Sequence, residues 1–252
     1  MKKSRKIINI VISFVIMLII WKLICDASVN GKTTVPSPRD VINAIKEMNR
    51  YGYLIQYILV SLYRFIVGYG ISVVCAVLLG LILGWYTKIW DIVDPIVQVL
   101  RPISPTAWFP FIVLFFGIGN IPAIVIIFIS AFFPVLISTV NAVKKIDNIY
   151  LKVADNFGIK KLKFVRKIVL PAVFPNIANA LHLALGSAWI FLVAGEMVGA
   201  QSGLGYLIID SRNNLRYDML LAGIIIIGIV GLILDKLIGK VEKLINAKFG
   251  NA

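Results

Sequence analysis

Charged side chains are scarce in this sequence, and acidic ones are the scarcest. Of 252 residues only 15% are charged, with 12 Asp+Glu against 26 Lys+Arg. An ordinary globular domain carries about 25% charge. At 60% hydrophobic and a mean hydropathy of +0.92, the chain has too little polar surface to cover a soluble core. The same composition excludes a disordered chain. One histidine and two cysteines exclude a recognisable zinc site. Cys25 and Cys75 lie in or beside apolar runs and read as small packing residues, not as a disulfide. A net charge of +14 would suggest nucleic acid in a soluble protein. In a chain this apolar, basic loops instead fix topology across a bilayer. Nucleic acid is therefore not an expected partner, and a multi-spanning membrane protein is.

What is there is a series of apolar runs. The first, Ile7–Cys25, follows Lys2, Lys3, Arg5 and Lys6. It is longer than a signal-peptide core, has no small-x-small cleavage site after it, and bulky Ile24 argues against a lipoprotein cysteine. It reads as a retained helix. Later runs are Tyr57–Trp85, Trp90–Gly117, Ile121–Val143, Ile177–Val198 and Met219–Ile238. Each is long enough for roughly 30 Å of hydrocarbon at about 1.5 Å per residue. The weakest is Trp90–Gly117, which contains Asp91, Asp94, Arg101 and four prolines and also suits a re-entrant segment. Charge decides between the two. With six spans, the basic loop from Lys144 to Lys167 lies on the side of the N-terminus; with five it lies opposite, against the positive-inside bias. The expected fold is all-α and integral to the membrane, with six transmembrane helices and both termini cytosolic.

Two loops stand out. Val35-Pro36-Ser37-Pro38 should be extended, because a proline disfavours helix in the residue before it. Asp40–Met48 suits a short helix at the outer interface. Gly31-Lys32-Thr33 imitates the end of a phosphate-binding loop, but Asp26 stands where the first glycine belongs and no strand precedes it. The chain has no other such loop, so it is not expected to be an enzyme or to hydrolyse ATP itself. The second loop, 144–175, holds two short amphipathic stretches that meet at Gly158, a residue suited to a helix-ending turn. Pro171 then opens a new helix or turn. Two readings are open from the residues alone: a basic helix on anionic lipid, or a helix docked in a partner's groove.

Segment 152–171 resembles the EAA loop of ABC importer permeases. Ala154, Gly158 and Leu170-Pro171 match its spacing, while Lys152 replaces the usual opening Glu and Val153 the first Ala. Other segments resemble the nitrate/sulfonate/taurine/bicarbonate permease family. These are Ser61-Leu62-Tyr63-Arg64-Phe65 with Gly68-Tyr69; Asp94-Pro95, Gln98 and Leu100-Arg101-Pro102-Ile103-Ser104-Pro105; Ala107-Trp108-Phe109-Pro110 and Phe116-Gly117-Ile118-Gly119; and Ala188-Trp189-Ile190, Glu196-Met197 and Ser202-Gly203-Leu204-Gly205-Tyr206-Leu207-Ile208. The likeness runs from about residue 35 to 238 and implies a type I ABC importer (MetI-like) permease fold.

It also implies partners: a second permease copy, a dimer of ATPase subunits holding ATP and Mg, and an extracytoplasmic solute-binding protein. This chain would bind no cofactor and sit in the bacterial plasma (inner) membrane. The solute implied is a small anion such as nitrate, a sulfonate, taurine or bicarbonate; relatives also carry vitamins or their precursors. By position, Ala154, Asp155, Phe157, Gly158, Ile159, Lys161 and Pro171 would contact the ATPase. The implied organisation is an N-terminal helix and external segment over 1–56, a permease core over 57–238 containing the loop 144–175, and a tail over 239–252.

Within the spans, Glu196 is an ionisable group near the outer end of the fifth helix. Such a group costs at least about 2.5–3.5 kcal/mol on insertion scales, so it needs a partner or water. It suits a gate, or an ion pair with Arg101 or Arg64. Arg101, Ser187 and Trp189 are also candidates for the translocation path or gate, Trp189 for the core as well. His182 suits a proton sensor or an ordinary packing residue. Gly68, Gly80 and Gly84 suit close helix approach. Asp91 and Asp94 suit a helix N-terminus. The loop Gly199–Tyr217 suits an outer gate or a partner contact as well as a plain glycine-rich turn.

Rival classes fit less well. A gradient-driven secondary transporter predicts inverted repeats with broken helices, and none is legible. A membrane enzyme needs clustered catalytic groups, and the side chains for them are too few.

Overall fold

A computed structural model describes residues 2–28, 35–146 and 169–248, helical apart from short connections such as 35–37, where Ser37 is extended. Helices are the expected form in lipid, where every backbone N–H and C=O must be bonded within its own segment. The elements are α1 (Lys2–Ser28), α2 (Pro38–Arg50), α3 (Tyr53–Trp85), α4 (Thr87–Leu100), a 3-10 turn (Pro105–Trp108), α5 (Phe109–Phe116), α6 (Asn120–Lys144), α7 (Leu170–Gly199), α8 (Leu204–Asn213) and α9 (Tyr217–Lys248). Four helices, α3, α6, α7 and α9, are long and apolar enough to cross a membrane. The pair α4 and 105–116, bent by 86°, makes a fifth if taken as one span. In α1 the described apolar stretch is Val15–Cys25, shorter than a span.

The centre of the bundle is α3 against α6. On α3, Gly68, Ser72, Ala76, Gly80 and Gly84 recur every fourth residue and are buried. That spacing puts small side chains on one stripe, which lets two backbones close up in the manner of small-xxx-small packing. The approach is close enough that a Cβ at Gly68 would fall within 2.9 Å of Ile127, at Gly80 within 2.6 Å of Thr139, and at Gly84 within 2.7 Å of Val143. Ser72 Oγ donates to the Phe128 carbonyl at 3.0 Å in the same register.

These contacts advance together along both helices, so α3 and α6 are parallel. Consecutive parallel helices require the chain between them to return from one end to the other. The segment 86–119 does this. Trp90, early in α4, lies under the Lys144 ammonium, 5.6 Å from the ring centroid. The Phe109 ring, after the bend, fills the space beside Gly199 at the opposite end. The prolines seen in the sequence account for its shape: Pro102 and Pro105 sit at the bend, while Pro95 lies inside α4. The expected single run Trp90–Gly117 is thus two helices. Asp91 and Asp94 lie inside α4, not at its N-cap; Asp94 accepts from Gln98 at 3.1 Å.

α7 runs antiparallel to α6, from Ser138 Oγ donating to the Asn176 carbonyl at 3.3 Å to the Gly119 N–H donating to the Gly199 carbonyl at 3.1 Å. It begins at Leu170 with Pro171 in its first turn, seven residues before the apolar run Ile177–Val198. α9 runs antiparallel to α7. Trp189 Nε1 donates to the Ile227 carbonyl at 3.2 Å, and His182 lies between Asp235 and Glu242. The core of the bundle therefore has two distinct ends. One holds Trp85, Lys144 and Leu170. The other holds Asn120, Gly199, α8 and α2.

α2 is the short helix expected in the external segment. Ser37 caps it in a reciprocal box with Asp40, its Oγ accepting from the Asp40 N–H at 3.3 Å. Burial of Val41, Ala44 and Met48 seats one face on the bundle. Trp21 Nε1 donates to the Pro36 carbonyl at 3.1 Å, which ties α1 to this end.

Candidate functional site

A buried polar cluster occupies the Asn120 end. Its centre is Arg64 of α3 and Glu196 of α7, 1% and 0% exposed. Arg64 Nη1 donates to Glu196 Oε1 at 2.7 Å. Ser61, one helical turn before Arg64 on the same face, donates to both carboxylate oxygens at 2.8 Å. The Gly205 N–H donates to Oε2 at 2.9 Å. The guanidinium makes three further bonds: Nε donates to Asn120 Oδ1 at 2.8 Å, Nη1 to the Ser202 carbonyl at 2.6 Å and Nη2 to Ser202 Oγ at 3.0 Å. The Leu204 N–H closes the circuit by donating to Ser61 Oγ at 2.8 Å.

The turn before α8 is shaped around this carboxylate. Gly203 has φ +105°, a conformation that suits glycine, and a Cβ there would collide with the Glu196 carboxylate. A Cβ at Gly205 would collide with the Val193 carbonyl. The Gly-Leu-Gly run lets the backbone lie on the acid and donate to it. One cluster thus joins α3, α6, α7 and the start of α8. Charge removed from water is stable only when it is paired and hydrogen-bonded in this way.

Of the two basic partners weighed for Glu196, Arg64 is the one present. Arg101 is exposed in the turn after α4 and makes no ion pair among the described residues. The other expected path residues are apart from the cluster. Ser187 is half-buried and bonds back to the Ala184 carbonyl of its own helix at 3.0 Å. Trp189 is buried between α3 and α9, edge-on to Phe65 at 5.5 Å. His182 is a half-exposed bridge from α7 to α9, with Nε2 2.8 Å from Asp235. Ala154, Asp155, Phe157, Gly158, Ile159 and Lys161 lie outside the described residues. Among the described residues no group of His, Cys, Asp and Glu is arranged to hold a metal ion.

Sequence reasoning missed Asn120 and the roles of Ser61, Ser202 and Gly205. Ser61 was within reach, since a serine three residues before a buried arginine shares its helix face. Asn120 was not, because a neighbour on a parallel helix leaves no mark in local spacing.

A second ionic cluster lies nearby on the surface. Arg216, just before α9, binds Glu47 of α2 through Nη2 at 2.8 Å and Nη1 at 3.3 Å, and Asp218 through Nη2 and Nε at 2.9 and 3.0 Å. These hydrogen bonds hold the Glu47 carboxyl below its ordinary range, against the opposing effect of burial. The clamp fixes α2 across the turn from α8 to α9.

Comparison with known proteins gives these features a context. Residues 76–246 match the family described as "Binding-protein-dependent transport system inner membrane component". A putative ABC transporter permease from Methanocaldococcus jannaschii is 36% identical over 87% of this chain and 84% of its own length. The putative aliphatic sulfonates transport permease SsuC of Bacillus subtilis is 32% identical over 90% of this chain and 83% of its own. The nitrate import permease NrtB of Leptolyngbya laminosa is 32% identical over 94% and 87%. A chain from the inward-facing MetNI methionine ABC transporter has a TM-score of 0.63 at 21% identity, covering 78% of this chain and 96% of that one. That last likeness concerns the fold alone.

Proposed function

The chain belongs to the family of binding-protein-dependent inner membrane transport components, and we propose that within it this chain forms the solute path of an importer driven by a separate ATPase. It is a membrane-spanning transport subunit of the inner membrane. The proposal adds the division of labour between its two ends. The Asn120 end faces the binding protein and the Lys144 end faces the ATPase. The solute is small, in the size range of the nitrate and aliphatic sulfonates named for the relatives.

Six spans and cytosolic termini belong to this reading. Three observations favour them: the return of the chain through 86–119 between two parallel helices, the alternating directions of α6, α7 and α9, and the eight basic residues from Lys144 to Lys167. The permease acts as a pair of copies around one path. ATP closes the ATPase dimer, which draws two coupling loops together and shifts the pair toward an outward-facing packing. In that loop Phe157 and Ile159 supply apolar anchors, Ala154 and Gly158 a close turn, and Asp155 and Lys161 a polar rim; Pro171 starts the helix that carries the motion to Glu196. The buried cluster then serves as a fixed joint at the outer gate.

The observation that carries the reading is the family match over 76–246, which takes in both the loop and Glu196. Its test is ATPase activity in the purified complex with binding protein. Phe157→Asp and Gly158→Val should insert normally but lose stimulated activity. Full stimulation in both would remove the loop from its role. A cysteine placed at Lys161 should react from the cytosolic side; reaction only from outside would overturn the six-span topology.

A further inference from the structure

The last helix outruns the apolar stretch that carries it through the membrane. In α9 the uncharged run Met219–Leu234 covers about 24 Å at about 1.5 Å per residue, and the helix then continues to Lys248. The hydrocarbon of a bilayer is about 30 Å thick, and the headgroup layers bring the total to about 40–45 Å. The turns after Leu234 therefore pass through a headgroup layer.

Charge is sorted by sign across these turns. Asp235 and Glu242 point inward to α7, where His182 Nε2 lies 2.8 Å from Asp235 and Nδ1 3.5 Å from Glu242. Lys236, Lys240 and Lys243 are exposed, and none makes an ion pair among the described residues. Their spacing of four and three residues puts them on one side of the helix. Leu237, Val241 and Leu244 run beside them, 52%, 53% and 72% exposed. This side continues the row of Ile229, Leu232 and Ile233, exposed aliphatic side chains within the span itself. Of the four spanning helices α9 is also the least buried in the bundle. An apolar row flanked by lysines suits the edge of a bilayer, where the stems lie on apolar surface and the ammonium groups reach phosphate. A protein partner seated there would have to replace lipid along the same row.

We propose that the inner end of α9 binds the headgroups of anionic phospholipids. Lys236, Lys240 and Lys243 take the phosphates, and Leu237, Val241 and Leu244 lie against the first carbons of the acyl chains. The importer reading above enters only in placing this strip on the cytosolic leaflet.

The test uses the full chain in phosphatidylcholine bilayers, with Cys25 and Cys75 replaced by Ser and a bimane label on Val241→Cys. A minor share of the lipid carries bromine on its acyl chains, either as phosphatidylglycerol or as phosphatidylcholine with the same chains. Bromine quenches on contact, so the ratio of the two quenching curves gives the relative affinity of the strip for each lipid. One lysine near an anionic surface is a factor of about five in affinity. Phosphatidylglycerol should therefore be preferred by at least about fivefold at low salt, and less in 1 M salt, where screening falls to about 3 Å. Changing all three lysines to Gln should bring the ratio close to parity while quenching by phosphatidylcholine persists. Changing them to Arg should keep the preference, and millimolar inorganic phosphate should not alter it. Quenching by neither lipid would mean that protein or water covers the strip. That result, equal quenching by both lipids, a preference that survives the Gln variant, or competition by inorganic phosphate would each overturn the proposal. So would loss of quenching on adding the ATPase subunits, which would assign the strip to the ATPase. The lipid comparison itself needs no ATPase and no binding protein. Its failure leaves the importer reading standing, and failure of that reading in the ATPase assay leaves the quenching result intact.

Discussion

Two arginine–carboxylate clusters lie at the same end of this molecule, with nearly the same bond lengths. Arg64 meets Glu196 at 2.7 Å, and Arg216 meets Glu47 at 2.8 Å. They differ in exposure: 1% and 0% for the first pair, 39% and 40% for the second. Geometry alone would rank them as equals, and the surroundings do not. In water an ion pair replaces good hydration with a modest attraction. In the bundle there is no hydration to return to, so each partner holds the other in an environment it does not tolerate alone. The buried pair is therefore a condition of the fold, and the exposed pair adjusts how an outer helix sits.

The sharpest way to break this contrast is to remove one buried partner. Arg64→Ala or Glu196→Ala should destabilise the chain by about 3–5 kcal/mol, since each leaves an uncompensated buried charge. Little folded protein should survive extraction, measured by size-exclusion recovery and thermal unfolding in detergent. The double variant Arg64→Met with Glu196→Leu removes both charges at similar volume. It should regain part of the stability of the parent, because no charge is left unpaired, while Ser61, Asn120 and the Gly205 N–H lose their partners. If the cluster is a joint of the outer gate, the double variant folds but transports slowly. If transport is normal, the pair is structural only.

The next effect in size is at the glycines. Gly80→Val places a branched side chain where a Cβ already falls within 2.6 Å of Thr139, and it should separate α3 from α6. Overpacking of this kind costs about 1–3 kcal/mol. Gly203→Ala should cost a similar amount through its positive φ and its collision with the Glu196 carboxylate. The two differ in where the damage goes. Gly203→Ala should disturb α8 and spare the Lys144 end of the bundle, so hydrogen exchange should rise near Leu204 and stay unchanged near Val143. A uniform rise would mean that the cluster stabilises the whole bundle.

How much of this was legible depended on the range of the interaction. The apolar runs located the long helices, because length and hydropathy are local properties. The parity of basic loops favoured a crossing by Trp90–Gly117, in keeping with the return between parallel helices, but could not give the 86° bend. The need of Glu196 for a partner followed from desolvation, yet the choice between Arg64 and Arg101 required knowing which helix is its neighbour. Gly68, Gly80 and Gly84 were readable as close-approach residues without their partners on α6. Gly203 and Gly205 suited a gate or partner contact as well as a plain turn; the Glu196 carboxylate and the Val193 carbonyl that their missing side chains make room for lie outside local spacing. Asn120 and the clamp at Arg216 left no local signal, since one joins parallel helices and the other spans 169 residues of sequence.

The smallest expected effect is at the exposed clamp, and its pH dependence has a definite sign. Hydrogen bonds from Arg216 lower the Glu47 carboxyl below its ordinary value. A lowered carboxylate contributes stability that is fully present above its unfolded pKa and is lost as pH falls through the folded one. The clamp should therefore be unchanged from pH 8 to pH 5 and weaken only in the acid range below an ordinary glutamate. Glu47→Gln should remove that acid-side loss, leave the melting temperature at neutral pH nearly that of the parent, and lose its remaining difference from the parent in 1 M salt, where screening falls to about 3 Å. The natural readout is a pair of spin labels on α2 and the start of α9, whose measured distance reports their separation at each pH without unfolding the bundle. A loss of contact between pH 8 and pH 5 would mean that the Glu47 carboxyl titrates above an ordinary glutamate and not below it. A collapse of the fold in Glu47→Gln would mean that the exposed pair behaves like the buried one, and that burial does not separate the two clusters.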